Sequence, residues 1–213
     1  MIHTEKDFIK LKKRDLMPLI AVSAVLRKYE TLEKLIKIAK LKKVSFKKMY
    51  EVLLQNYLFA GYPSAILSLK LLKEIYPSKK LAKAADMNLY HFMNKGIKNC
   101  KQVYGEKFEK LISNIKGFSP DLAEWLVFEG YGKVLGRRGL SFKERELCIV
   151  AVLTVLRFKD QLYSHINGAR RVGVSIEEIK STIKNINLVG YKNLVKLGLA
   201  VLNKFEKEKG MTD

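Results

Sequence analysis

Two ionisable side chains stand apart in this sequence. Glu146, in KERELCIVAVLTVL, opens a nearly continuous apolar run, and His165, in QLYSHINGARR, lies close to Gln161, Tyr163, Ser164 and Asn167. An imidazole titrates near neutral pH and so suits proton transfer. A carboxyl drawn into apolar surroundings has its pKa raised and keeps its proton. A carboxyl in the first turn of a helix meets the positive end of the helix dipole instead, and the residues leave both readings of Glu146 open. A packing role is open for His165 as well. Of the other histidines, His3 is terminal and His91, in LYHFMNKG, reads as a packing residue among aromatics. One His and one Glu are too few ligands for a metal, so no metal site is expected. The sequence holds no phosphate loop, no Gly-rich dinucleotide fingerprint and no G-x-S-x-G elbow, and no cofactor is expected. Cys100 and Cys148 are too far apart for a disulfide scaffold or a paired-cysteine zinc site, which fits a reducing cytoplasm. Cys148, between Leu147 and Ile149, reads as an inert buried thiol.

The elements that must hold these residues are helices. Asp15 to Tyr29 is an apolar segment of about four turns, and Leu32, Leu35, Ile36 and Ala39 recur at helical spacing. Ser45 is placed to cap a helix closed by Gly61. Pro63 and Ser64 open another helix that runs to Ile75, and an amphipathic stretch runs from Pro77 to Gly96. Gly105 and Gly117 bracket EKFEKLISNIK. Ser119-Pro120-Asp121 starts a helix that holds the single Trp, Trp125, and ends near Gly136. Ser141 with Glu144 forms a capping box ahead of the apolar run. Helices over 160–172, 175–189 and 191–208 complete the chain. No segment alternates with period two for long, so the expected fold is all-α.

The chain has 213 residues, enough to bury a core without disulfides or metals. Its apolar (48%) and charged (29%) fractions exclude disorder. The net charge of +20 raises the question of nucleic acid. However, 33 of the 41 basic residues are Lys, spread along the whole chain, and only 8 are Arg. Arg supplies the forked hydrogen bonds of phosphate and base recognition, so a solvated Lys-rich surface is expected and specific nucleic-acid binding is not. The longest apolar run, 147–156, is about half a membrane span. With no targeting segment visible at the N-terminus, a soluble, cytoplasmic protein without membrane attachment is expected.

An internal repeat also emerges. Ser45 and Ser175 lie 130 residues apart, Thr31-Leu32…Ala39 matches Gln161-Leu162…Ala169 at the same offset, and Gly61-Tyr62 matches Gly190-Tyr191 one residue short of it. Two fused copies of a helical unit are expected, at 1–76 and 119–213, with a helical insertion at 77–118.

The string from Glu129-Gly-Tyr-Gly through Arg137-Arg-Gly-Leu and Arg145-Glu146, then His165-Ile-Asn-Gly-Ala169 and Gly173-Val-Ser-Ile-Glu-Glu-Ile179, resembles the carboxymuconolactone decarboxylase family. That family includes the alkylhydroperoxidase D-like proteins. A weaker match covers Arg14 to Leu72. The resemblance implies an alkylhydroperoxidase D-like helical fold in two copies, and homo-oligomers, a trimer for a two-copy chain. It implies Glu146 and His165 as a proton-relay pair on consecutive helices joined near Phe158. Tyr131 and Arg137 would line the site, Arg137 meeting the carboxylate of a small-molecule substrate of a lyase. Where the family has Pro after this Arg, the chain has Arg138. The family's peroxidase branch carries cysteines at the places of Phe158 and Gln161, and often His at Asp160, so the dithiol reaction is not expected here. In the first copy Asp15 lies near the acidic position and Leu35 replaces the histidine, so that copy reads as scaffold. A non-catalytic scaffold or interaction protein of the same fold is the alternative reading.

Overall fold

The computed structural model describes residues 5–80, 83 and 88–211, and His3 lies outside them. Among the described residues every regular element is helical, as expected from the apolar spacing. In chain order the helices are α1 (Glu5–Ile9), α2 (Lys13–Val25), α3 (Tyr29–Leu41), α4 (Phe46–Gln55), α5 (Tyr57–Ile75), α6 (Leu89–Tyr104), α7 (Phe108–Lys116), α8 (Pro120–Trp125), α9 (Phe142–Leu156), α10 (Lys159–Arg171), α11 (Ile176–Asn185) and α12 (Lys192–Glu208). Two compact units result: 1–79 with 139–213, and 80–138. This division runs across the repeat boundaries expected at 76 and 118, because residues 119–138 belong to the second unit.

In the first unit, α2 is buried on all sides from Leu16 to Val25, and α9 from Arg145 to Val155. A helix apolar all round is a core helix. Each Leu, Ile or Val so enclosed contributes roughly 1.5–3 kcal/mol of burial free energy. The two pack on each other; α3, α4 and α5 lean on α2, while α10, α11 and α12 lean on α9. The two sets match residue by residue. α3 and α10 have the same length and start 130 residues apart, as do α4 and α11. Left-handed residues recur at the same offset: Arg27 (φ 56°) with Arg157 (φ 65°), and Lys43 (φ 58°) with Gly173 (φ 88°). Both hairpins turn on the same bond, Lys28 N–H to the Ser23 carbonyl in one and Phe158 N–H to the Leu153 carbonyl in the other.

Ion pairs repeat with their signs exchanged. Lys48 on α4 meets Glu144 on α9, and at the +130 and −130 positions Arg14 on α2 meets Glu178 on α11 at 2.8 Å. One pair has no such counterpart. Arg145 of α9 is fully buried and reaches Gln55 (2.9 Å) and Glu51 (3.1 Å) of α4, with Glu51 equally buried.

The second unit is built on backbone-to-backbone packing. A methyl group on Gly96 of α6 would stand 2.0 Å from the Val127 carbonyl oxygen, and one on Gly132 the same distance from that of Phe92. Only glycine permits both approaches. Gly96 therefore sits inside α6 and does not end it, and that helix begins at Leu89, well after Pro77. The segment after Trp125 also departs from the expected single helix: α8 gives way to a π-helix over Leu126–Val134. Gly61 closes a helical stretch as expected: its backbone is non-helical (φ 73°, ψ 172°), so α5 is two helical stretches meeting at a kink, with Pro63 at the start of the second.

Stranding one member of a buried ion pair costs about 3–5 kcal/mol, whereas replacing both with apolar residues is close to neutral. Arg145→Met is therefore expected to lower the unfolding free energy by about that amount. Arg145→Met/Glu51→Leu should recover most of it. Urea denaturation of the three proteins checks this; equal stability of the single variant and wild type would contradict it.

Candidate functional site

The site is built on the hairpin of α9 and α10. Ser141 caps α9: its hydroxyl accepts from the Glu144 N–H at 3.3 Å, and the Glu144 carboxylate accepts from the Ser141 N–H at 2.9 Å. Glu144 is thus the first-turn acid that meets the helix dipole. Burial pushes its carboxyl up, but hydrogen bonds from Lys48 and Ser141 outweigh this and hold it below the ordinary carboxylate range. Glu146 lies further in and is fully buried, which removes the first-turn reading for it. At the far end Arg157 takes a left-handed conformation and α10 returns along α9.

This return brings His165 to Glu146. Nδ1 of the imidazole and Oε2 of the carboxyl are 2.8 Å apart, and His165 is 8% exposed. One proton lies between the two atoms. The other carboxyl oxygen, Oε1, has no hydrogen-bond partner among the described residues. A buried carboxyl with one unmet oxygen is costly, on the order of 1–3 kcal/mol for the missing bond. The corresponding positions in α2 and α3, 130 residues earlier, are Leu16 and Leu35, both fully buried. The position that matches Glu146 at this offset is therefore Leu16, the neighbour of Asp15. Asp15 faces a separate cleft with Arg14, Glu178 and Ser181.

The remaining sequence candidates fall elsewhere. Tyr131 and Arg137 belong to the second unit. Tyr131 is buried, its hydroxyl donating to that of Tyr104 at 2.9 Å and its carbonyl accepting from Asn99 at 2.8 Å; Arg137 is half-buried. Phe158, Asp160 and Gln161 are exposed. Cys148 is fully enclosed, and burial pushes its thiol far up; Cys100 is pushed up to about 12 for the same reason. His91 stacks edge-on against Phe92. Among the described residues, no group of three or more His, Cys, Asp or Glu side chains could hold a metal ion.

Sequence reading missed Arg145 and its partners Glu51 and Gln55. The signal was present: the apolar run counts from Leu147, yet burial of α9 begins two residues earlier, so both charges of Arg145-Glu146 are carried inward. Glu51 likewise interrupts the apolar face of α4.

The family model for the carboxymuconolactone decarboxylase family matches residues 120–204. A 4-carboxymuconolactone decarboxylase of Acinetobacter baylyi is 29% identical over 103 residues, which cover 48% of this chain and 77% of that protein. Peroxisomal protein 2 of Schizosaccharomyces pombe is 29% identical over 147 residues, covering 67% of this chain and 68% of its own. Its namesake in Saccharomyces cerevisiae is 24% identical over 162 residues, 63% and 57% of the two chains.

Leu16 and Leu35 show that this hairpin packs without a polar pair. Glu146→Leu/His165→Leu is therefore expected to be at least as stable as wild type, since apolar replacement of a buried pair is neutral or stabilising by about 1–4 kcal/mol. His165→Leu alone should cost about 1–3 kcal/mol, because it leaves both carboxyl oxygens of Glu146 unmet. Thermal melts of the two variants decide this; a double variant less stable than the single one would contradict it.

Proposed function

From the membership of this chain in the carboxymuconolactone decarboxylase family through residues 120–204, we propose that it is a lyase-type proton-transfer enzyme acting on a small carboxylate-bearing molecule. The observation that carries this reading is a buried Glu146–His165 pair at 2.8 Å, where the matching hairpin has two leucines. A pair that the fold does not need, and that costs stability, is retained for its chemistry. His165 is the proton carrier. Glu146 orients the ring and balances the charge when the imidazole is protonated. With Nδ1 engaged by Glu146, a proton exchanged with substrate passes through Nε2. In a decarboxylation the bond to the carboxylate breaks and carbon dioxide leaves. The electron pair is taken up by an adjoining carbonyl system, and the carbon then receives one proton from the imidazolium. Solvent restores that proton.

Other parts of this reading belong to the same proposal. Helices α2–α5 and α9–α12 are two copies of one unit, the first a scaffold. Three chains assemble, and Tyr62, Ile66 and Leu67, all about half or more exposed on α5, support self-association. The place of action is the cytoplasm; two of the relatives carry "peroxisomal" in their names, and among the described residues no helix is long and apolar enough to cross a membrane.

A second reading, a non-catalytic interaction protein, is favoured by the burial of the pair, since His165 is only 8% exposed. Incubation with 4-carboxymuconolactone separates the two. The enzyme reading expects carbon dioxide release that falls by a factor of about 10²–10⁴ in His165→Gln, the usual contribution of general acid–base catalysis, with the far-UV circular dichroism unchanged. No release by the wild type supports the second reading, and release that survives in His165→Gln contradicts the role given to His165.

A further inference from the structure

The net charge of +20 is not shared evenly between the two matching hairpins. Residues 27–48 run from just after α2 through α3 into the first turn of α4, and they hold nine basic and two acidic side chains. Their matches at the +130 offset, residues 157–178, hold four and three. Lys34, Lys37, Lys43 and Lys47 are exposed, and the residues at their matching places are Ser164, Asn167, Gly173 and Glu177. The two hairpins share one backbone, with equal helix lengths and left-handed residues at equal places. The fold therefore requires none of these four lysines.

Two of them work against it. Lys43 sits in the left-handed region (φ 58°), where its match is Gly173 (φ 88°). A side chain there crowds its own backbone, and glycine avoids the clash. Lys47 stands in the first turn of α4, at the positive end of the helix dipole, where α11 carries Glu177. Neighbouring carboxylates do not offset the charge. Lys37 pairs with Glu33 at 2.6 Å on the open surface, and Lys48 pairs with Glu144. Lys34, Lys42, Lys43 and Lys47 join no ion pair among the described residues. A positive face kept against local preference is accounted for by a negative partner.

We propose that α3 and the turn into α4 form a docking face for the phosphate backbone of double-stranded DNA, bound without regard to base sequence. Lys34 and Lys37 lie about one turn apart on the outer side of α3, Lys42 and Lys43 form the turn, and Lys47 opens α4. From Lys34 to Lys42 the axis advances about 12 Å, and a duplex carries one charge per about 1.7 Å, so each of the five ammonium groups meets phosphates along it. Between Lys34 and Lys47 there is no arginine or amide side chain to read a base edge, and the one aromatic, Phe46, is packed against Tyr50 and Tyr76. Ammonium groups only donate, so nothing here selects the ribose 2′-hydroxyl of RNA. A bilayer fits the face less well. The apolar side of α3, with Leu32, Leu35, Ile36, Ile38 and Ala39, is enclosed in the core, and Leu41 (76% exposed) is the one exposed large hydrophobic side chain between 27 and 48. The face includes neither Glu146 nor His165, and the proposal stands or falls independently of the proton-transfer reading.

Fluorescence anisotropy of a short labelled DNA duplex, titrated with the full chain at a series of KCl concentrations, tests it. The expected result is saturable binding at low salt, with log K falling against log salt at a slope of about −4.5, or about 0.9 for each of five lysines on phosphate. Lys34→Ser/Lys37→Asn/Lys43→Gly carries the residues of the other hairpin, so its thermal midpoint should not fall. Its affinity at low salt should drop at least tenfold and its slope should shrink by about three. Lys47→Gln alone should shrink the slope by about one. Lys192→Gln/Lys196→Gln/Lys207→Gln removes the same charge from α12 and should leave the slope as it is. Absence of saturation at low salt, an unchanged slope in the Lys34 triple variant and in Lys47→Gln, or an equal loss in the α12 variant would overturn the proposal. Duplex RNA, or vesicles of phosphatidylserine and phosphatidylcholine, bound at least tenfold more tightly than the DNA duplex would overturn the assignment to DNA.

Discussion

Helix α9 has no side that faces water from Arg145 to Val155, so every polar group it carries must find its partner inside the protein. The Thr154 hydroxyl donates to the Val150 carbonyl at 2.7 Å, within the helix. Arg145 is met by Glu51 and Gln55 from α4. Glu146 is met by His165 from α10, on one oxygen only. Positions on α3, α4, α10 and α11 follow from what α2 and α9 need at their surfaces. Where the core helix is apolar, as at Leu16, the helix leaning on it supplies Leu35. Where it carries a carboxyl, the helix leaning on it supplies an imidazole.

The two halves of the first unit share a backbone plan and differ in how they use it. The crossed ion pairs Lys48–Glu144 and Arg14–Glu178 occupy matching places with opposite polarity. Partly exposed pairs of this kind contribute little to stability, roughly 0–1 kcal/mol. Their exchanged signs favour pairing of one half with the other over pairing of like with like. Further inward the halves diverge. One side closes its inter-helix space with a buried guanidinium and keeps leucines in its hairpin. The other keeps a carboxyl–imidazole pair in its hairpin and leaves an acid-lined cleft. Matching backbone geometry thus carries divergent interiors within one compact unit.

Helix boundaries were legible where the sequence states its own caps. Ser45, Ser119, Ser141 and Ser175 each accept the expected backbone N–H three residues on. Boundaries were not legible where a glycine or aromatic serves packing between elements. Gly96 reads as a helix end because its close approach to the Val127 carbonyl is a tertiary fact. The π-helix after Trp125 has no marker in residue type at all. The Glu146–His165 pairing was legible from the family-like string. Inward placement of Arg145 was not, since a charge beside an apolar run reads as the solvated start of a helix until the surrounding helices are in place. Asp15 lies next to the position that matches Glu146 at the 130-residue offset, and one residue on a helix turns a side chain by about 100°.

The central claim is that the Glu146–His165 pair is open to chemistry despite its burial. Carbethoxylation of the folded protein by diethyl pyrocarbonate, followed by peptide mapping, tests it directly, because the chain has three histidines. The account predicts that His165 is modified in the native state, on Nε2, and that 4-carboxymuconolactone slows the reaction. Modification confined to His3 and His91, with His165 labelled only after denaturation, would contradict it and leave the pair a sealed part of the core.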